Sequence, residues 1–170
     1  VVHRAGDWAA GLSLYSARVA NYELINGENR RGWHTSSGHL AMYLGDVGQF
    51  SDGFWATVDA ERLPGVTWVA GSQPKTERSQ AAFVGGAGMR DAVLGVAALE
   101  LRTSAVPDLH GRKAWFFFPD AVVCLGSELS SGPGSRLETT VENRRLSEPG
   151  TDAFQAFPNS EALDVQTAPA

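Results

Sequence analysis

The sequence predicts an all-β fold of the sandwich or barrel class, and three observations carry that expectation. No window of the 170 residues sustains a 3.6-residue apolar period over three turns. Short runs rich in apolar and aromatic residues recur instead, each bounded by Gly, Pro, Asp, Asn or Ser. Two of these runs meet across Pro119-Asp120, residues that favour a tight reversal. Short strands broken by frequent turns must bury their apolar faces against a second sheet or close on themselves.

Taken in order, strands are expected at Gly11–Val19, ahead of Asn21, and at His39–Tyr43, between Gly38 and Gly45-Asp46. Thr67–Ala70 lies between Pro64-Gly65 and Gly71-Ser72, and Ala81–Gly85 between Ser79 and a glycine-rich step. Ala92–Leu101 follows Asp91 and stops before Ser104. Lys113–Phe118 and Ala121–Gly126 form the hairpin around Pro119-Asp120, and Leu137–Val141 precedes Asn143. Trp115–Phe118 and Val122–Leu125 are apolar at successive positions, the pattern of a strand packed between two layers. Ser72–Ser79 reads as a polar loop, and Ser130–Ser135 carries enough Gly and Pro to forbid regular structure. From Glu148 onward the pattern weakens, as if its fold depended on neighbours outside these residues. No internal repeat is present.

Composition narrows the partners. The length suits one domain that buries about two-thirds of its unfolded surface. Charged residues make up 19% and hydrophobic ones 43%, a globular balance without a disorder signature. No apolar run approaches the roughly 20 residues that cross a bilayer, so no membrane partner is expected. A net charge of −5 argues against nucleic acid, whose binders carry a basic face. A polyanionic sugar would need local positive charge against this background, which gives any basic cluster added weight. Only Lys75 and Lys113 are lysines among the 14 basic residues. Cys124 is alone, so no internal disulfide forms, and its apolar run (AVVCLG) predicts a buried packing role. No His/Asp/Glu cluster has ligand spacing, so neither metal nor cofactor is expected. Val1-Val2-His3-Arg4 opens the chain without methionine or signal segment, and a polar stretch closes it. Both ends read as cuts inside a longer polypeptide.

The densest chemistry lies between Asn21 and Thr67. If the stretch to Glu23 is extended, Asn21 and Glu23 share one face, with Tyr22 and Leu24 on the other. Asn26-Gly27 and Glu28-Asn29 then supply turn residues, Asn tolerating left-handed geometry. Arg30-Arg31 is the best candidate for attracting a polyanion over roughly a Debye length of 8–10 Å. Trp33 and Trp55 are candidates for stacking on sugar faces, though the neighbour Phe54 draws Trp55 toward the core.

The whole string resembles the opening of the central β domain of family 8 polysaccharide lyases, the group that cleaves hyaluronan, chondroitin and xanthan. The resemblance is carried by Tyr22-Glu23, Asn26, Glu28-Asn29 and the Gly-aromatic-aromatic-Thr step at Gly32-Trp33-His34-Thr35. It continues through Phe50-Ser51-Asp52-Gly53-Phe54-Trp55, Thr57-Val58-Asp59 and Arg62-Leu63-Pro64-Gly65. Further matches lie at Gly111–Phe118 and Thr139–Arg144, in the expected order over most of residues 3–145. Ser37 stands where relatives often have Asp, and Ala56 where they often have Pro.

The resemblance implies a large antiparallel β-sandwich, the supersandwich portion of a secreted, extracellular lyase of two or three domains. It implies that residues 1–170 are part of the central domain, with a helical toroid domain before it and a further β domain after it. The implied reaction is β-elimination at a 4-linked uronic acid, with hyaluronan taken first among the acidic polysaccharide substrates. The C5 proton leaves, the bond to O4 breaks, and charge building on the carboxylate must be stabilised. The family's base, acid and arginine come from the toroid, so none of His3, His34, His39 or His110 is assigned a catalytic role and the chain alone is expected to be inactive. By position Glu23 corresponds to a glutamate beside the family's catalytic arginine, and Asn26 to an asparagine lining the cleft. An Asn26 amide can donate to a carboxylate or hydroxyl without a charge penalty. Glu23 would repel a uronate unless paired with a cation, and an arginine of the toroid is the expected partner. Asn29, Arg30, Arg31 and Trp33 complete the expected substrate-binding set. The competing reading is a non-catalytic carbohydrate-binding β-sandwich.

Overall fold

The structure is a computed structural model that describes residues 1–89, 93–106 and 108–145. Its elements are β1 (Val2–Ala5), β2 (Trp8–Leu14), β3 (Ser37–Leu44), α1 (Phe54–Thr57), β4 (Thr67–Val69), β5 (Val84–Met89), β6 (Leu94–Arg102), β7 (His110–Phe117), β8 (Val122–Ser130) and β9 (Leu137–Thr139). They pair antiparallel in three sheets, β1-β2-β3, β4-β9 and β5-β6-β7-β8. The all-β, antiparallel expectation therefore holds.

Two-residue alternation explains the core. Gly111, Lys113, Trp115 and Phe117 of β7 point inward while their neighbours along the strand are more exposed. On β6 the inward set is Ala97, Leu99 and Leu101, in register with Trp115, Lys113 and Gly111. These side chains meet Ala10, Leu12 and Leu40 from β2 and β3, with Phe54, Leu63, Val66 and Trp68 filling the space between. Trp115 is only 1% exposed, and removing a ring from such a place costs about 3–5 kcal/mol.

One crossing ties the sheets together. The Pro64 carbonyl accepts the Leu40 amide at 2.9 Å, and the Gly65 amide donates to Thr140 at 2.8 Å. The Lys113 ammonium reaches in from β7 to the Gly65 carbonyl and lies 5.3 Å from the Trp115 ring centroid. Gly65 has a φ of +83°, and a Cβ there would sit 2.5 Å from the Gly38 carbonyl oxygen. Only glycine satisfies both demands.

Several expectations need correction. The first predicted strand, Gly11–Val19, is displaced: β2 begins at Trp8 and ends at Leu14, because β1 pairs with its start and Ser16 and Val19 close only a small bridge. The strand expected at Ala81–Gly85 starts later, at Val84, and runs through the glycines to Met89. Ala92, expected to begin the next strand, lies outside the described residues, as does the weakly patterned tail from Glu148 onward. β1 and α1 escaped prediction. The hairpin closes as expected, with the Phe118 amide donating to the Ala121 carbonyl at 2.9 Å. Neither strand is sandwiched, however: β7 alternates and leaves Phe116 and Phe118 open on one face, and β8 is the edge of its sheet, with Val123 and Leu125 open. Cys124 is exposed rather than buried for the same reason.

Candidate functional site

Between β2 and β3 the chain runs as a succession of reverse turns. Asn26 and Gly27 have φ of 53° and 73°, and the Glu28 amide closes onto the Ile25 carbonyl at 3.0 Å. Positive φ at both central positions is the hallmark of a type I′ turn, for which Asn-Gly is the preferred pair. A second turn joins the Asn29 carbonyl to the Gly32 amide at 3.3 Å, with Asn29 itself at φ 52°. Further turns at 32–35 and 34–37 lead into β3.

Asn21 holds the base of this loop. Its amide nitrogen donates to the carbonyls of Trp33 (3.0 Å) and Lys75 (2.9 Å), and its side-chain oxygen accepts the Glu77 amide at 2.9 Å. Asn21 is thus a clasp joining the two ends of the loop to the segment 75–77. This corrects the extended reading of 21–24: Asn21 and Tyr22 are both buried, while Glu23 and Leu24 are both exposed. The clasp draws Asn21 inward, so it and Glu23 share no face. The anchor continues through Glu77, whose carboxylate accepts the Ser104 amide and hydroxyl at 2.7 Å each and the Thr103 hydroxyl. No local pattern in the sequence links positions 21, 77 and 103.

Above the clasp, the expected site residues divide into those bound by the loop and those left free. The Asn29 amide donates to the Glu23 carbonyl at 3.0 Å, so its nitrogen staples the loop from within. The Arg30 Nε donates to the Gly27 carbonyl at 2.8 Å. An Arg31 Nη reaches the Val58 carbonyl at 3.2 Å, where α1 ends. These bonds orient the two guanidinium groups without neutralising them, since neither has a carboxylate partner among the described residues. The neighbouring segment adds Lys75 and Arg78, also exposed. These two cations were missed because the polar loop 72–79 is distant in sequence, and only the Asn21 clasp and the Ala20–Arg78 bridge bring it here. The Glu23 carboxylate and Asn26 amide are exposed, with no side-chain partner among the described residues. Trp33 is half-buried.

Trp55 departs from the core placement expected of it. Gly53 in left-handed geometry starts a single helical turn that buries Phe54 and leaves Trp55 48% exposed. Its ring stands edge-on to Phe54 and His39, with centroids 5.1 and 6.0 Å away. The histidines are spread through the fold. His3 bonds the Phe118 carbonyl at 3.0 Å, His39 faces the Pro64 carbonyl at 3.3 Å, and His110 bonds the Asp108 carbonyl at 3.0 Å. Burial pushes the His39 imidazole below its ordinary range. Among the described residues no three His, Cys, Asp or Glu side chains gather to hold a metal ion.

The loop can therefore present an amide donor, a carboxylate and a cluster of cations along one edge of a β-sandwich. Residues 1–166 match the model of polysaccharide lyase family 8, super-sandwich domain, and the chain belongs to that family. It is 40% identical over 165 residues to a xanthan lyase of Bacillus sp. (strain GL1), covering 97% of this chain and 17% of that protein. It is 39% identical over 165 residues to a hyaluronate lyase of Thermasporomyces composti, covering 91% and 20%. Among solved structures, Paenibacillus xanthan lyase superposes with a TM-score of 0.82 at 42% identity, over 88% of this chain and 14% of that one. A Streptomyces coelicolor chondroitin AC lyase in complex with chondroitin sulphate gives 0.76 at 40%, over 89% and 21%. The chain thus spans about a fifth or less of the length of these relatives.

Proposed function

We propose that this chain forms one wall of the cleft in a lyase that breaks 4-linked, uronate-containing polysaccharides by β-elimination, with hyaluronan the first candidate substrate. The observation that carries the reading is the exposed Asn26 amide on the same loop as Arg30 and Arg31, which no carboxylate pairs among the described residues, in a chain of family 8. Removing the C5 proton places a second negative charge on a centre that already bears a carboxylate. Fixed donors and cations aimed at that carboxylate lower the barrier, because they need not reorganise as charge develops. Asn26 supplies such a donor. Glu23, exposed and unpaired within the described residues, orients an arginine contributed by a helical domain of the same polypeptide. Base and acid come from that domain, so residues 1–170 alone are inactive. The enzyme acts outside the cell, where such polysaccharides occur.

The test is ultraviolet absorbance of the conjugated C4–C5 double bond, measured on the protein at its natural length with hyaluronan, chondroitin and xanthan in turn. Growth of the band with one of them supports elimination and names the sugar. Binding without any band favours a carbohydrate-binding module and overturns the proposal. Asn26 separates conformation from chemistry. Asn26→Gly keeps the left-handed turn and loses the amide, so kcat falls on the order of 10²-fold with folding intact. A fully active Asn26→Gly variant would remove Asn26 from the site.

A further inference from the structure

Beneath the loop lies a buried ring that the proposed chemistry does not use. His34 is 1% exposed, and neither Nδ1 nor Nε2 has a hydrogen-bond partner among the described residues. Its imidazole packs against Trp68 of β4, with centroids 4.5 Å apart and planes inclined by 58°. Histidine is here used as an aromatic wedge rather than as a donor or acceptor. The backbone around it carries the loop's exit: the Trp33 carbonyl receives Asn21, and the His34 carbonyl accepts the Ser37 amide at 3.0 Å.

We propose that His34 is a positioning residue that seats the 22–33 loop only while its imidazole is neutral, so that acid unseats the loop and opens this edge of the sandwich. A neutral ring fits the pocket against Trp68. A protonated ring would carry two N–H donors and a full charge into a place where the described residues offer no acceptor, which is the costly way to bury a charge. Burial accordingly pushes the imidazole down to about 4, with Asp59 pulling weakly the other way. Asp59 is the charged group that bears on the ring among the described residues, and its carboxylate is already bonded to Arg62 at 2.6 Å. Trp68, the ring's partner on β4, is uncharged. His39 on β3 is also buried and favours its neutral form, with Glu142 acting on it. Among the described residues, no nearby carboxylate is therefore free to rescue a protonated His34. The loop resists the proton until the segment lifts away from Trp68 and water reaches the ring. In the lyase read above, which this inference deepens, Asn26, Arg30 and Arg31 would lose their places together.

The experiment is hydrogen exchange of peptides covering residues 21–37, from pH 7.5 to 4.5, on the natural-length protein and its His34→Phe variant, corrected for intrinsic exchange rates. Phe retains a flat ring against Trp68 and cannot be protonated. The wild type should open on the order of 50-fold more by pH 4.5, and His34→Phe should stay closed. Equal acid opening in a folded His34→Phe variant would overturn the inference. If that variant fails to fold, nuclear magnetic resonance titration of the His34 ring in the wild type decides the matter. Protonation near 5 or below, accompanied by loop opening, upholds the inference, and titration at 6.5 with the loop undisturbed sinks it. Exchange needs no substrate, so the absence of lyase activity would undo the functional reading alone. With an active enzyme, acid should lower kcat/KM more steeply in the wild type than in His34→Phe.

Discussion

Replacing Asn21 with alanine should detach the candidate site from the sandwich. The side chain makes three hydrogen bonds, to the Trp33 and Lys75 carbonyls and from the Glu77 amide, all between 2.9 and 3.0 Å. Each such bond contributes about 1 kcal/mol net, and a buried partner left without water costs about 1–3 kcal/mol. Asn21 is only 4% exposed, so its partners do not all regain solvent for free. The expected loss is about 3–5 kcal/mol, a large share of the 5–15 kcal/mol that holds a typical domain. Most of it should appear locally. Hydrogen exchange should accelerate at least 100-fold in 22–35 and 75–77, with β6 and β7 much less affected. Asn21→Asp makes the argument sharper, since it keeps an acceptor for the Glu77 amide but turns a carboxylate toward two carbonyl oxygens. It should cost as much as alanine or more. If Asn21→Ala changed exchange in these segments by less than tenfold, about 1.4 kcal/mol, the clasp would be a bystander and the loop would be held by its own turns.

Three further outcomes follow from the same geometry. Gly65→Ala should cost several kcal/mol, read as a drop in the midpoint of thermal unfolding, because the new Cβ meets the Gly38 carbonyl at 2.5 Å in a backbone that disfavours side chains. The acid dependence has a definite sign. The unfolded chain binds a proton at His34 near 6.5 and the folded chain only near 4, so stability rises with pH across that window. Titration curves of folding free energy for wild type and His34→Phe should diverge by about 3 kcal/mol between pH 7 and pH 4, and parallel curves would contradict the assignment. Burial likewise pushes the Lys113 ammonium down to about 8, so the folded state is disfavoured below that value and recovers as pH rises toward 10.5. Lys113→Met should therefore gain stability relative to wild type at pH 7 compared with pH 10, measured by urea unfolding at both.

How far the sequence revealed this molecule depended on how local each signal was. The apolar runs that become β3, β4, β6, β7 and β9 are properties of contiguous residues, and their places were legible to within a few residues, whereas the inward–outward alternation of β7 was hidden by its successive apolar residues. The Asn26-Gly27 turn was legible for the same reason, since positive φ has few residue choices. β1 was not, because four residues with one histidine and one arginine have no distinctive pattern until β2 lies beside them. α1 is a single turn, shorter than any periodicity can register. The misplacements of Cys124 and Trp55 share a cause. Apolar sequence predicts that a side chain has a reason to be buried, but burial also needs a second surface, and neither the β8 edge nor the outward side of α1 has one among the described residues. The candidate site residues were proposed through their place in a recognised string. Their supports were not, because Asn21, Glu77 and His34 act through contacts that no local spacing encodes.

Those supports change how the string itself should be read. Of its polar groups, the Asn29 nitrogen, the Arg30 Nε and one Arg31 Nη are engaged in holding backbone carbonyls. Asn21 is wholly committed to the clasp. What remains free to meet a ligand, among the described residues, is the Asn26 amide, the Glu23 and Glu28 carboxylates and the charge of two guanidinium groups. A loop that only satisfied its own turns would have no use for two adjacent cations, because water serves the same carbonyls at less cost in side-chain entropy. A loop that only attracted a polyanion would not place carboxylates beside them, since Glu23 and Glu28 offset part of their field. Both features make sense together when Glu23 has a cationic partner from outside these residues. On the reading proposed above, the amide is then the group left to meet a uronate. On that proposal the chemistry of this edge is incomplete in itself, and Glu23 marks where a cationic complement would bind.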